Sequence, residues 1–573
     1  SRIFLKKLSY SDNKSITFKS NKFALEYLKK LSIDEDNYIL NIIHEYTKSK
    51  KISLAYKKLS QPFISQKIRF FLFIGLIEQY NSNCNINIFS NYNPLDNDKV
   101  LKILEHQKRF RNFSLHKLFL ISNYIQLFSN LLFFIPFWII KRIMRNGIAI
   151  NTSYKTYNVG QQLNNGLKNN SIRRIVNRND DDLFENLNTD NTDFIYIFSY
   201  WNFSKEERSS NINIIKKKKI QYTDELRIKI PIKKLFKEYL PIYFNIFKYL
   251  IFYRKKNKFI NYLDQFHGRI ICSIIHHEVF CSNYRVKIFF SRDDFSFHHV
   301  VRTIIQNKYK LNNYGLSHSS FVKPEMLTTC TFVYFDKYYH FGAGYLKYYR
   351  DYWVSKNFLA VGQPYANNIF NSYNNVDIGK RFKKIFKQGT NVLVTLPNIQ
   401  NLPFFDSNRI NKKYSEFSKI LDIDTNINLI FRVRNKDHIK LFKNIIINNK
   451  NYINRIFFIN NEFTTHELMS QCNFIIGDDT SSALLEALTF DRIQIIPYLV
   501  RYDDPKILIW NDFDKNLVCK NIKEVCTFIS KIIKNKNYAN YNISEEFKKL
   551  FANKENAFTW ELVASDINKS LIN

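Results

Sequence analysis

Through its second half the chain alternates short apolar runs with longer stretches of mixed polarity. The runs at 194–199, 287–290, 391–397, 427–434, 456–459, 474–476 and 492–498 are too short for helices and are bounded by turn residues, so each predicts a buried strand. Between them, 235–253, 298–308, 414–421, 438–447 and 465–471 repeat apolar positions at helical spacing. Strands buried on both faces and separated by helices predict an α/β chain with parallel sheets. The pattern divides near residue 386 into two α/β units of similar size.

The first 146 residues follow a different pattern. Positions 23–31, 38–46, 52–59 and 68–80 predict helices, punctuated by Pro62 and by the Asn-rich segment 81–97. From 118 to 140 no residue is charged, while Arg109, Arg111 and Lys117 precede the run and Lys141, Arg142 and Arg145 follow it. That is long enough to cross a bilayer. Ser122, Asn123, Gln126, Ser129, Asn130 and Pro136 make it a poor spanning helix. A helix lying in the membrane interface, held by its basic flanks, is one alternative; plain packing against the rest of the chain is the other. Residues 147–190 are rich in Asn and Asp and weakly patterned, which predicts a linker or a loosely ordered entry into the next unit. The expected organisation is a helical region over 1–146, α/β units over 147–385 and 386–535, and a C-terminal helical segment over 536–573.

Composition narrows the partners. With 573 residues, of which 45% are hydrophobic, the chain can bury large cores and is not a disordered protein. The formal net charge of +36 suits nucleic acid, an anionic membrane surface or anionic substrates. No RNA-recognition, zinc-finger or helix-turn-helix pattern accompanies it, so nucleic acid is not the expected partner. Seven cysteines form no CxxC pair, and no apolar leader begins at Ser1; together these predict a reducing, cytoplasmic setting. Cys272, His276, His277 and Cys281 lie close in sequence, but their spacing is not that of a zinc site and the cysteines sit in an apolar run, so packing is expected and no metal.

One stretch concentrates the chemistry. After the apolar run 474–476, Gly477 permits a sharp turn, and Asp478, Asp479, Thr480, Ser481 and Ser482 precede a helix whose buried side is Leu484, Leu485 and Leu488. A strand, a hydroxyl-rich turn and a helix N-terminus present N–H groups and a positive dipole end to one point, which is how a phosphate or pyrophosphate is held. A well-capped structural helix has the same local pattern.

Gly477-Asp-Asp-Thr-Ser-Ser-Ala-Leu-Leu-Glu-Ala-Leu, followed by Ile495-Ile-Pro-Tyr, resembles the donor-binding turn of GT-B glycosyltransferases of the surface and capsular polysaccharide type. Ser291-Arg-Asp-Asp-Phe-Ser, Gly315-Leu-Ser-His-Ser, Phe341-Gly-Ala-Gly-Tyr and Val361-Gly-Gln-Pro resemble the acceptor domain of the same group. The resemblance covers roughly residues 285 to 500. It departs where Ser319 replaces a glycine and where Arg432-Val-Arg434 stands in place of a His-Pro, which leaves the donor nucleotide open.

The resemblance implies two Rossmann-like domains facing a cleft, and a metal-independent transferase moving a sugar from a nucleotide-activated donor, a nucleotide-sugar or CMP-sugar, to a glycan or glycolipid acceptor. Thr480, Ser481 and Ser482 would hold the donor phosphates, Arg432 and Arg434 would neutralise them, and Glu486 would accept hydrogen bonds from a ribose. A surface glutamate is the alternative for Glu486. Across the cleft, Asp293, Asp294 and His318 are the candidate general bases. Two other classes stay open: a CDP-polyol phosphotransferase of the teichoic-acid type, and a non-catalytic membrane-associated scaffold of the same pathway.

Overall fold

The buried runs pair into two all-parallel sheets. In the first, β1 (Lys155–Leu163), β2 (Phe194–Phe198), β3 (Gln221–Asp224), β4 (Tyr284–Ser291), β5 (Asn312–Leu316), β6 (Lys337–His340) and β7 (Asn357–Ala360) lie in the order β7-β6-β5-β4-β1-β2-β3. In the second, β8 (Thr390–Thr395), β9 (Ile427–Arg432), β10 (Ile456–Ile459), β11 (Phe474–Gly477) and β12 (Gln494–Pro497) lie in the order β10-β9-β8-β11-β12. Each sheet starts at an interior strand, winds outward, then returns and winds outward on the other side. This is the doubly wound Rossmann order, with a topological switch point between β1 and β4 in one sheet and between β8 and β11 in the other. The chain is therefore α/β, with two Rossmann-like units in the GT-B-like manner and helices preceding them.

This computed structural model describes residues 10–30, 38–65, 86–90, 110–114, 133, 135–150, 154–163, 167, 181–199, 203–252, 266–318, 323–325, 328–363, 376–386, 388–395, 412–433, 438–446, 450–460, 462–477, 482–490, 493–499, 506, 508–514, 517–534, 543, 545–552 and 559–572. The predicted helix at 68–80 and most of the uncharged run 118–140 lie outside them. No helix among the described residues is long and apolar enough to cross a membrane.

Side-chain alternation explains how the layers join. In β2, Phe194, Tyr196 and Phe198 face one core while Ile195 and Ile197 face another. In β8, β9 and β11, Leu393, Ile430 and Ile475 enter the same core as the β2 aromatics, and Val392, Leu429 and Ile476 turn to a third. One continuous apolar core thus runs along a face of both sheets. The opposite face of the first sheet is covered by the His267–Asn283 and His298–Lys308 helices and by N-terminal helices that contribute Leu40, Ile43, Ile52, Tyr56, Ile135 and Ile139.

The expected linker at 147–190 is corrected. Within it, Lys155–Leu163 is an interior strand of the first sheet, between β4 and β2, buried from Val159 onward. Its sequence, Lys-Thr-Tyr-Asn-Val-Gly-Gln-Gln-Leu, lacks an apolar run because Gln161 and Gln162 are buried at the switch-point end, where side-chain hydrogen bonds replace apolar packing.

The C-terminal helices leave the second unit and pack on the first. Glu545–Ala552 lies between the turn after β6 and the helix after β11: a side chain at Gly342 would collide with the Leu550 carbonyl, and one at Gly344 would come within 2.8 Å of the Phe551 ring. In Thr559–Ile572, Asp566 accepts from Lys337 Nζ and the Tyr339 hydroxyl, each at 2.6 Å, and Thr559 Oγ1 donates to the Val361 carbonyl at 2.8 Å.

Candidate functional site

The second switch point is built by β8, β9 and β11. Their register sets Thr395 opposite Arg432 and Val394 opposite Ile476, so Arg432, Thr395 and Gly477 form a row along the C-terminal edge. A Cβ on Gly477 would meet the Thr395 hydroxyl and, at 2.7 Å, Leu484 of the following helix. Only glycine lets strand, neighbouring strand and helix approach this closely. Asp478, Asp479, Thr480 and Ser481 lie outside the described residues, as does Arg434. Ser482 opens the Ser482–Glu486 helix.

Arg432 is 5% exposed, and its Nη1 donates to the Val433 carbonyl at 2.9 Å and to the Ile459 carbonyl at 3.4 Å. Those carbonyls end β9 and β10, so the guanidinium is folded against the strand ends. Glu486 is not the surface glutamate of the alternative reading. It is 3% exposed, and its carboxylate meets His466 Nε2 at 2.8 Å. The Thr465–Gln471 helix that carries His466 is held at its start by a capping box, in which Thr464 and Glu467 exchange side-chain-to-backbone bonds. Nothing in the sequence around His466 pointed to this pairing.

In the first sheet, Asp293, Asp294 and His318 come together where β4 and β5 end. Asp294 is fully buried; its Oδ2 accepts from the His318 N–H at 3.0 Å and from the Tyr338 hydroxyl at 2.7 Å. Its Oδ1 is buried with no hydrogen-bond partner among the described residues. Burial pushes the Asp294 carboxyl up to about 6, against the pull of those two donors and of Lys58. Asp293 is half-buried and caps the turn, accepting from the Ser296 N–H at 3.2 Å and the Ser296 hydroxyl at 2.6 Å. The half-buried His318 ring lies edge-on to Phe295 with centroids 4.6 Å apart, and its carbonyl accepts from Arg292 Nη2 at 3.0 Å.

Three supporting residues were not picked out from the sequence. Lys58, from the 52–65 helix, is buried with its ammonium on the carbonyls of Asp294 (2.7 Å), Thr329 (2.9 Å) and Thr331 (2.8 Å), and burial brings its pKa down to about 8. Tyr338 sits below Asp294 on β6. Arg302 bridges the first switch point, donating to Gln162 Oε1 on β1 at 3.0 Å and Ser291 Oγ on β4 at 2.5 Å.

Cys272 and Cys281 are buried, their thiol pKa values raised by desolvation, as packing predicts. The histidines between them take another course. His276, His277 and Glu225 bring one candidate ligand atom each within 4.8 Å of one another. Arg142 already supplies a cation there, with Nη1 2.8 Å from His276 Nδ1 and Nη2 donating to the Glu225 carbonyl at 2.9 Å. A guanidinium so placed opposes a second positive charge, so the group is a buried ion network rather than a fit for a metal.

No family model and no curated protein matches the chain. Among solved structures it is similar to a co-structure of MnaA from S. aureus with UDP, at 10% identity over 73% of this chain and 97% of that one, with a TM-score of 0.43. It is similar to a structure of the wall teichoic acid polymerase TagF with CDPG, at 9% identity over 79% and 98%, with a TM-score of 0.43. A third is UDP-GlcNAc 2-epimerase from Neisseria meningitidis bound to UDP-GlcNAc, at 9% identity over 73% and 100%, with a TM-score of 0.41. At these scores the fold rests on the strand order and register of the two sheets themselves.

Proposed function

We propose that the chain is a glycosyltransferase that moves a sugar from a nucleotide-activated donor to a hydroxyl of a cell-surface polysaccharide or glycolipid precursor. The observation that carries this reading is the position of Gly477, pressed against Thr395 at the switch point of the second sheet and opening the hydroxyl-rich turn. In doubly wound sheets that crevice is where phosphorylated ligands bind, with the helix N-terminus toward the anion.

In this reading Thr480, Ser481, Ser482 and the helix N-terminus hold the donor phosphates, with Arg432 and Arg434 supplying positive charge as the nucleotide leaves. Glu486, braced by His466, stands behind them toward the ribose. On the acceptor side the hydroxyl oxygen attacks the anomeric carbon, a glycosidic bond forms, and the bond from that carbon to phosphate oxygen breaks. The hydroxyl proton passes to the cluster of Asp293, Asp294 and His318, in which Asp294 has the raised pKa and an oxygen without a donor. Charged side chains and the helix dipole serve the leaving phosphate without a metal. A glycolipid acceptor would set the chain to work at the inner face of the cytoplasmic membrane.

The test is a thermal-shift and calorimetric panel of UDP-, GDP- and CMP-sugars with CDP-glycerol and CDP-ribitol. Selective binding of one sugar donor is expected, weakened by roughly tenfold for each hydroxyl lost in Ser481→Ala and Ser482→Ala. Selective binding of a CDP-polyol would move the assignment to a polyol-phosphate transferase. Binding of none of the panel would leave a non-catalytic scaffold.

A further inference from the structure

The Ile135–Asn146 helix has two apolar sides, and among the described residues only one is buried. Ile135, Ile139 and Arg142 are buried. Phe137, Ile140 and Met144 are 64%, 53% and 82% exposed. At about 100° per residue the exposed three fall within an arc of about 60°, opposite the buried three. Phe133, one turn earlier in the chain, is 68% exposed, and Ile150, just beyond the helix, is 81% exposed. The helix cannot simply roll to hide this stripe, because Arg142 is bonded to His276 and the Glu225 carbonyl, and the Asn146 amide donates to the Leu226 carbonyl. Exposed Lys141 and Arg145 border the stripe on one side.

We infer that this face docks onto an anionic lipid bilayer, with Phe137, Ile140 and Met144 in the interface and Lys141 and Arg145 on the headgroups. Fixed apolar side chains beside cations are the chemistry of an interfacial helix. The net charge of +36 draws such a surface to anionic lipid. The inference stands on the helix alone and does not depend on the transferase reading.

Flotation of the full chain with vesicles of phosphatidylcholine, with and without phosphatidylglycerol, tests it. Binding is expected only to the anionic vesicles and should weaken as salt rises from about 0.1 to about 0.5 M. Phe137→Ser with Met144→Ser should lower the partition by roughly tenfold or more with an unchanged melting temperature, since both residues are exposed. Lys141→Glu with Arg145→Glu, which keeps the stripe, should abolish the preference for anionic lipid. Absence of vesicle binding, or binding indifferent to the serine pair, would overturn the inference. So would self-association that the serine pair abolishes in a chain that ignores vesicles, since the face would then belong to a second copy. Donor binding by the serine variant is measured in parallel and should not change.

Discussion

Asp294 combines full burial, a raised pKa and two donors on one oxygen, and these make separable demands on its replacement. An asparagine keeps an oxygen for the His318 N–H and the Tyr338 hydroxyl but cannot take a proton. Asp294→Asn should therefore retain donor binding and lose turnover, while Asp294→Ala should also destabilise the chain by about 2–4 kcal/mol, by leaving two buried donors unpaired. Turnover that survives in the asparagine variant would move the base to His318 or Asp293. The pH dependence has a definite sign. The folded-state value of about 6 lies above the ordinary carboxyl value of 3.8, so protonated Asp294 favours the fold at low pH, and that contribution is lost as pH rises from about 4 through about 6. Its size is roughly 3 kcal/mol, and it should be missing from melts of the asparagine variant followed across that window. Asp293 and Asp294 were legible as candidates because they follow a short apolar run, and His318 because Gly315-Leu-Ser-His-Ser resembles the acceptor-domain pattern. Tyr338 and Lys58 were not, because a tyrosine in an aromatic cluster and a lysine among 86 basic residues look like a hundred others.

Among the elements, the end of β11 depends on the side chains of Thr395 and Leu484 packing directly against Gly477. Gly477→Ala forces its methyl group onto Thr395 and Leu484 and should cost about 1–3 kcal/mol. Under the proposed function it should also weaken donor binding, which calorimetry with the preferred donor would register. A fully stable variant with unchanged affinity would contradict the close packing of this corner. All five strands of the second sheet were legible but only β2 and β4 of the first, because a parallel sheet covered on both faces needs continuous apolar runs, as in Phe194–Phe198 and Ile456–Ile459. β1 was missed for the converse reason. Its C-terminal half buries Gln161 and Gln162, and the hydrogen bond from Arg302 to Gln162 compensates a polar burial that local sequence cannot reveal. The failure fell at a switch point, where strand ends are shaped for ligands rather than for packing.

At the scale of the whole molecule, the C-terminal helices tie the second unit to the first. Phe547, Phe551, Trp560, Val563 and Ile567 are buried in the core that both sheets share. A chain ending at residue 543 would expose these side chains' contact surfaces at a cost of order 10 kcal/mol, taking about 1.5–3 kcal/mol for each large apolar side chain. Such a chain should aggregate or melt at least 10 °C lower, by about 2–4 °C per kcal/mol, as differential scanning calorimetry would show. Aggregation is the expected route if β6 and β7 lose this cover. An unchanged melting temperature would mean that the helices only decorate the fold.

The sequence by itself determined the α/β class, the two-unit division and the strand that ends at Gly477, because apolar runs and helical spacing are local consequences of burial. Only the tertiary structure decided which strand stands at the centre of each sheet, that the last helices return to the first unit, and that Lys58, Tyr338, Arg302 and His466 brace the candidate residues. Each of those contacts joins positions far apart along the chain, and a buried polar side chain is stable only where folding supplies a partner that its own neighbours do not.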